Sequence, residues 1–276
     1  MTELMMRDIV RRAVLEDLGR GDITTEAVVP ADATSAGMII AKSPGTIAGM
    51  DVAEAVFCTI DDDIEFQREV SDGHQVQSRE VIARVRGRTR TILGGERVAL
   101  NFLQRMSGVA TQTREVVEAV KPHGVRVVDT RKTTPGLRIL EKYAVRVGGG
   151  FNHRFGLDDA ILLKDNHIRA AGGIRPAIER CKSSIGHMVI IEVEASDLEQ
   201  VREALRGGAD VILLDNMDVD TMREAVRIID GGAVVEASGS ITPGNAVAVA
   251  RTGVDVMSLG FLTHSFSSLD ISLDLE

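Results

Sequence analysis

Seven short apolar runs along the 276-residue chain close on polar residues. They are VRVVDTRK (to Lys132), AVRVGGGFNHR (to Arg154), DAILLKDNH (to His167), MVIIEVE (to Glu194), DVILLDN (to Asn216), AVVEASGS (to Ser240) and VDVMSLG (to Gly260). Near-continuous Val, Ile and Leu predict strands covered on both faces, as in a parallel sheet. The last four strand starts, Met188, Asp210, Ala233 and Val254, lie 22, 23 and 21 residues apart, the spacing of a compact βα repeat. Helices are predicted between them. Ser196 to Glu199 reads as a capping box opening a helix that ends near Gly207-Gly208. Asp218 to Ile229 has helical apolar spacing, and Thr242-Pro243 reads as N-cap and first residue of the next helix. The alternation predicts an α/β fold. A closed or nearly closed barrel is favoured over an open doubly wound sheet, because no G-x-G-x-x-G follows the first strand and Gly148-Gly149-Gly150 is only a triple glycine. Reactive groups in such a barrel gather at the carboxyl ends of the strands.

The first ~107 residues follow another pattern. GMIIAKSPGTIAG and EVIARVRGRTRTI alternate like strands, with Asp72-Gly73 as a turn. Leu93 to Val120 carries apolar residues at helical spacing, and Gly108 is expected to mark a bend or junction. The expected division is an N-terminal α+β domain over residues 1–107 and a barrel over 108–264. Residues 265–276, which include SLDISLDLE, return as a strand to the first domain.

Composition narrows the function. No Trp, one Tyr and a hydrophobic fraction of 44% imply an aliphatic core. A formal net charge of -9 and few aromatics argue against nucleic-acid binding. The charge is uneven: from Arg126 to Arg154 seven basic residues (Arg126, Arg131, Lys132, Arg138, Lys142, Arg146, Arg154) stand against Asp129 and Glu141. A net +5 island in an acidic chain suggests a small anionic ligand, unless it is a solvated face of helix charges. Cys58 and Cys181 fit neither a metal knuckle nor a redox pair and suit a reducing cytoplasm. MTELMMRDIVRR lacks a signal-peptide pattern, and no apolar run approaches the ~20 residues of a membrane span.

Several strand ends carry candidate chemistry. Glu194 and Asp215 close successive strands, which places two carboxylates side by side. Oxygen-only ligands suit Mg²⁺ bridged to substrate phosphates; the alternative is a carboxylate pair neutralised by neighbouring Lys or Arg. Lys164 has three readings: a point charge for an anion, a Schiff-base amine, or an ion-pair partner of Glu194. Arg131, Lys132, His153 and Arg154 would meet a polyanionic substrate, or two anionic substrates at once. Ser238-Gly239-Ser240 and Ser258-Leu259-Gly260-Phe261 end the last two strands, where barrels often bind phosphate near a helix N-terminus. No nucleophile elbow, Walker motif or H-E-x-x-H is present.

The segments GGERVALNFLQRMSGVAT, DTRKTTPGLRILEKYAVRVGGGFNHRFGLDDAILLKDNH, IEVE, LLDN, EASGSI and DVMSLGFLTHS together resemble the quinolinate phosphoribosyltransferases over essentially the whole chain. That resemblance implies an N-terminal α/β sandwich domain and a seven-stranded α/β barrel. It also implies a homodimer, or a hexamer of dimers, in which one subunit's N-terminal domain covers its partner's barrel mouth. The implied reaction converts quinolinate and phosphoribosyl pyrophosphate to nicotinate mononucleotide, pyrophosphate and CO₂ in de novo NAD synthesis, with Mg²⁺.

Carried over residue by residue, the resemblance places the quinolinate clamp on Arg131, His153, Arg154 and Lys164, with Arg97 donated across the dimer. Lys132 matches the lysine that approaches the pyrophosphate. Glu194 and Asp215 match the acidic pair near the ribose hydroxyls and metal. Ser238, Gly239, Ser240 and Gly260 match the 5′-phosphate loops, with Phe261 and Leu262 adjoining. Ser240 stands where relatives often have Gly, and a backbone N–H contact survives that change. Three other readings compete: a related protein of molybdate-transport operons, which tends to lose the lysine-bearing LLKDNH motif; a Schiff-base aldolase using Lys164; and a non-catalytic regulator that binds quinolinate or nucleotide.

Overall fold

The computed structural model describes residues 3–276, so Met1 and Thr2 lie outside the account. The chain divides into two compact units. One comprises the chain up to Arg114, Thr133–Gly149 and Thr263–Glu276; the other comprises Glu115–Lys132 and Gly150–Leu262.

In the first unit, α1 (Glu3–Leu18) and α2 (Ile23–Val28) precede β1 (Thr34–Ala41), β2 (Gly45–Thr46), α3 (Met50–Ile60), β3 (Glu65–Arg68), β4 (Gln75–Val76), β5 (Val81–Arg88) and the long α4 (Thr89–Val120). Four antiparallel strands pair in the order β12-β1-β5-β3, where β12 (Ile271–Leu275) is the C-terminal SLDISLDLE segment. The alternation of β1 puts Ile39 and Ala41 into the core. Asp72, expected only as part of a turn, also caps α3: its carboxylate accepts the N–H groups of Gly49 and Met50 at 2.9 and 3.0 Å. The hydroxyl of Tyr143 donates to the same carboxylate at 2.7 Å.

The second unit carries the parallel sheet. Its strands are β6 (Arg126–Val128), β7 (Ile161–Leu163), β8 (Ile191–Ala195), β9 (Val211–Asp215), β10 (Val234–Ser238) and β11 (Val256–Ser258). They pair in the order β6-β11-β10-β9-β8-β7. A single parallel bridge joins Val128 to Phe151 on the other side of β6. The helices α6 (Asp165–Ala171), α7 (Ile174–Ser184), α8 (Leu198–Gly207), α9 (Val219–Ile229), α10 (Ala246–Ala250) and α11 (Phe261–His264) follow the strands in turn. One face of the sheet packs on α7, α8 and α9. Val193, Ile212, Leu214, Ala237 and Met257 are fully buried there, and each large aliphatic contributes roughly 1.5–3 kcal/mol on burial.

Local structure corrects several expectations. The sheet has six strands where seven runs end in polar residues, because most of the AVRVGGG run lies in a helix. That helix, α5 (Arg138–Val147), belongs to the first unit, burying Leu140, Glu141, Lys142, Ala144 and Val145 at helical spacing. The basic island is therefore divided. Arg138, Lys142 and Arg146 fall in the first unit, while Arg126, Arg131, Lys132 and Arg154 fall in the second.

At Gly108, where a bend or junction is expected, α4 continues unbroken. The glycine serves close approach: a Cβ there would lie 2.3 Å from the Ser267 carbonyl oxygen. The N-cap of α8 is Asp197, not Ser196, and its carboxylate accepts the Glu199 and Gln200 N–H groups. Thr242-Pro243 lies in a turn. The next helix starts later, after Asn245, whose side-chain oxygen accepts the Thr242 N–H at 2.7 Å.

Candidate active site

In a strand, residues two apart share a face, and parallel register aligns those faces across the sheet. Glu194 lies opposite Leu213, Leu213 opposite Glu236, and Asp215 opposite Ser238. The face away from the helices therefore presents Glu192, Glu194, Asp215, Glu236 and Ser238. Lys164 follows β7, whose Leu163 pairs with Val193. One residue on, Lys164 stands beside Glu194, and its Nζ donates to Glu194 Oε2 at 2.5 Å. The Lys164 N–H donates to His167 Nδ1 at 3.0 Å, which fixes the start of α6.

Two basic segments meet at the end of β6. Asp129 is fully buried and accepts the Asn152 side-chain amide at 2.6 Å and the His153 N–H at 3.0 Å. This carboxylate fastens the NHR segment to the DTRK segment. Arg131 and Lys132 are exposed on the latter. Arg154 donates from Nη1 to the Ala160 carbonyl at 2.8 Å. Burial, and then the charge of Arg131, hold the Arg154 guanidinium below its ordinary pKa despite Glu192 and Asp159.

Behind them lies a group that the sequence reading did not single out. His153 Nε2 is 3.2 Å from Glu192 Oε2 and 3.5 Å from Glu236 Oε1. Glu192 and Glu236 are 5% and 4% exposed. Burial alone would lower the His153 pKa, but the hydrogen bonds and charges of the two glutamates outweigh it and raise it to about 10. Yet Nδ1 accepts the Arg154 N–H at 2.7 Å, which requires that nitrogen to carry no hydrogen. These two observations conflict, and the Nδ1 contact decides for a ring with its hydrogen on Nε2. Glu192 beside it has its own pKa raised by burial and by the charge of Glu236. The IEVE run carries part of the signal, since Glu192 and Glu194 are spaced by two and share a face, but nothing local brings Glu236 or His153 to them.

After β10 the chain turns sharply. Gly239 and Ser240 have φ of 84° and 53°, as does Asn216 at 53° after β9. The Ser240 hydroxyl donates to Asn216 Oδ1 at 3.0 Å, and Asn245 Nδ2 donates to the Ser240 carbonyl at 3.1 Å. A Cβ on Gly239 would lie 2.3 Å from Asn216 Oδ1, so the loop needs glycine there. Asn216 Nδ2 also donates to Asp215 Oδ2 at 3.0 Å, which joins this loop to the acidic strand end. Gly260 and Phe261 are half-buried at the end of β11. Leu262 is fully buried, so its side chain is part of the core and not of a ligand surface. Arg97 lies exposed on α4 in the first unit, 3.9 Å from Glu96.

The second unit thus gathers Arg131, Lys132, Arg154, Lys164, Glu194, Asp215 and the Ser238–Ser240 loop at the carboxyl end of a parallel sheet. This is an α/β protein whose charged side chains gather where parallel folds of this class place their sites. Residues 22–107 match the N-terminal domain of quinolinate phosphoribosyl transferase, and residues 109–274 match its C-terminal domain. The chain belongs to the quinolinate phosphoribosyltransferase family. It is 46% identical over 275 residues to the probable nicotinate-nucleotide pyrophosphorylase (carboxylating) of Bacillus subtilis, covering 100% of this chain and 95% of that one. It is 44% identical to the protein of the same name from Synechocystis, with 94% and 89% coverage. The crystal structure of NadC from Streptococcus pyogenes superposes with a TM-score of 0.97 at 40% identity, over 100% of this chain and 98% of that one. Among the described residues, no helix is long and apolar enough to cross a membrane.

Proposed function

We infer that this chain is a quinolinate phosphoribosyltransferase, a pentosyltransferase. It joins quinolinate to phosphoribosyl pyrophosphate and releases pyrophosphate and CO₂, forming nicotinate mononucleotide for NAD synthesis. The observation that carries the reading is the gathering of Arg131, Lys132, Arg154 and Lys164 after strands of one parallel sheet, on the side of its carboxyl ends. A dicarboxylate and a pyrophosphate bound together would use this many cations. The intact LLKDNH segment, with Lys164 on Glu194, disfavours the molybdate-operon relative.

In this reading Arg131, Arg154 and Lys164 hold the two quinolinate carboxylates, with His153 beneath them. The pyridine nitrogen attacks ribose C1 as the bond to pyrophosphate breaks. Positive charge then grows on the ribose near Glu194 and Asp215, and negative charge on the leaving group near Lys132. The ribosylated pyridinium withdraws electrons from C2, so that CO₂ leaves and a proton takes its place without a protein Schiff base. Ser238, Gly239, Ser240 and Gly260 offer the backbone for the 5′-phosphate, with Phe261 beside them.

The donor set also suits Mg²⁺. Glu194 and Asp215 end adjacent strands and offer only oxygen, and two carboxylates leave most of a six-coordinate shell to water and substrate phosphates. Bound there, the ion supplies charge neutralisation to the departing pyrophosphate. The Val128–Phe151 bridge supports a seventh stave that nearly closes the sheet into a barrel. Exposed Arg97 supports a homodimer, alone or assembled into a hexamer, in which this arginine completes the partner's clamp. Two isolated cysteines support a reducing compartment such as the cytoplasm.

Calorimetric titration with quinolinate tests the clamp. An Arg131→Ala/Arg154→Ala double variant should bind at least about tenfold more weakly than the parent. Equal affinity would remove both arginines from the clamp.

A further inference from the structure

The buried Glu192 and Glu236 have no direct part in the reaction just described, yet two carboxylates against the His153 imidazole are costly to bury. Glu192 Oε1 and Glu236 Oε1 lack a hydrogen-bond partner. A better-packed apolar group would serve stability as well or better. Their retention calls for another reason.

A metal site is the first candidate, since one ligand atom from each residue falls within 4.8 Å of the others. The second coordination sphere is wrong for it. A metal-bound imidazole offers the lone pair of one nitrogen and donates a hydrogen from the other. Here Nδ1 accepts the Arg154 N–H, so the hydrogen sits on Nε2, and no lone pair points at the carboxylates.

We propose that Glu192 and Glu236 are positioning residues for the quinolinate clamp, acting through His153 on Arg154. From Asn152 to Ala160 the chain has neither helix nor strand, so side-chain contacts must set its course. Asp129 holds the segment from one side, at Asn152 and the His153 N–H. On the other side the ring abuts Glu192 and Glu236, whose carboxylates lie 3.2 and 3.5 Å from Nε2. The ring they fix then receives the Arg154 N–H on Nδ1, which sets the backbone from which the guanidinium extends. With both ring nitrogens engaged inside the protein, His153 serves the clamp by placing Arg154. A clamp for a rigid diacid needs its cations held within about half an ångström.

The proposal rests on the assignment of Arg154 to quinolinate. It requires reach at Nε2 rather than charge, and two substitutions separate these. Glu192→Gln and Glu236→Gln keep the reach and an acceptor; Glu192→Asp and Glu236→Asp keep the charge and withdraw it by one methylene.

Steady-state kinetics of the Mg²⁺-loaded enzyme would be measured for each substrate, with melting temperatures as a check on folding. The Gln variants should keep the quinolinate KM within about threefold. The Asp variants should raise it about tenfold or more, with the phosphoribosyl pyrophosphate KM nearly unchanged. Asp variants with the parent's quinolinate KM would overturn the proposal. So would Gln variants as impaired as Asp, or a loss shared equally between both substrates. Arg154→Ala, run alongside, separates the two claims. An unchanged quinolinate KM in that variant would sink the clamp and this proposal together. Impairment there, with normal Asp variants, would sink this proposal alone.

Discussion

Lys164 Nζ and Glu194 Oε2 lie 2.5 Å apart, joining a group assigned to quinolinate to one assigned to the ribose and metal. The pair arises because β7 and β8 are parallel neighbours in register. Nearly half of the lysine side chain is exposed, so the contact contributes little to stability. Lys164→Ala should accordingly melt within a few degrees of the parent while kcat/KM falls on the order of 100-fold or more. Near-parental turnover in that variant would remove Lys164 from the mechanism.

The turn after β10 makes a different demand. At φ of 84°, with Asn216 Oδ1 where a Cβ would sit, Gly239 admits no side chain without moving the loop. Gly239→Ala should cost about 1–3 kcal/mol in strain. It should also raise the KM for phosphoribosyl pyrophosphate more than that for quinolinate. Kinetics with each substrate varied in turn would check this, and an equal effect on both would argue against a 5′-phosphate role.

Arg97 is expected to act in the partner subunit's site. Arg97→Ala and Arg131→Ala should each be nearly inactive alone. Mixed under conditions of demonstrated subunit exchange, they should regain up to about a quarter of parental activity, since half the dimers are mixed and each carries one intact site. No recovery would argue against shared sites.

Removal of divalent metal should stop catalysis. Excess EDTA should abolish product formation, and added Mg²⁺ should restore it. Rates unchanged by EDTA would contradict the role given to Glu194 and Asp215.

The strand ends were legible in the sequence because buried parallel strands are nearly pure Val, Ile and Leu, so Lys164, Glu194 and Asp215 stand out where they stop. Helix limits were less so. Asp197 rather than Ser196 caps α8, and α10 begins after Asn245 rather than at Thr242, because backbone geometry that spacing alone does not reveal sets where a helix starts. The AVRVGGG run looked like a strand because three valines and alanines fall together. Read from Leu140, the same residues keep a helical period. The His153–Glu192–Glu236 cluster depends on contacts between β8, β10 and the segment after Phe151, which no local pattern encodes. The long central motif carries charged positions that the fold distributes between two units.

The central claim is the carboxylating transfer itself. Purified protein with Mg²⁺ and phosphoribosyl pyrophosphate would be given quinolinate in one reaction and nicotinate in another, while nicotinate mononucleotide and CO₂ are followed. The expected result is mononucleotide from quinolinate only, with one CO₂ released per product. Mononucleotide from nicotinate, or no product from quinolinate, would contradict it.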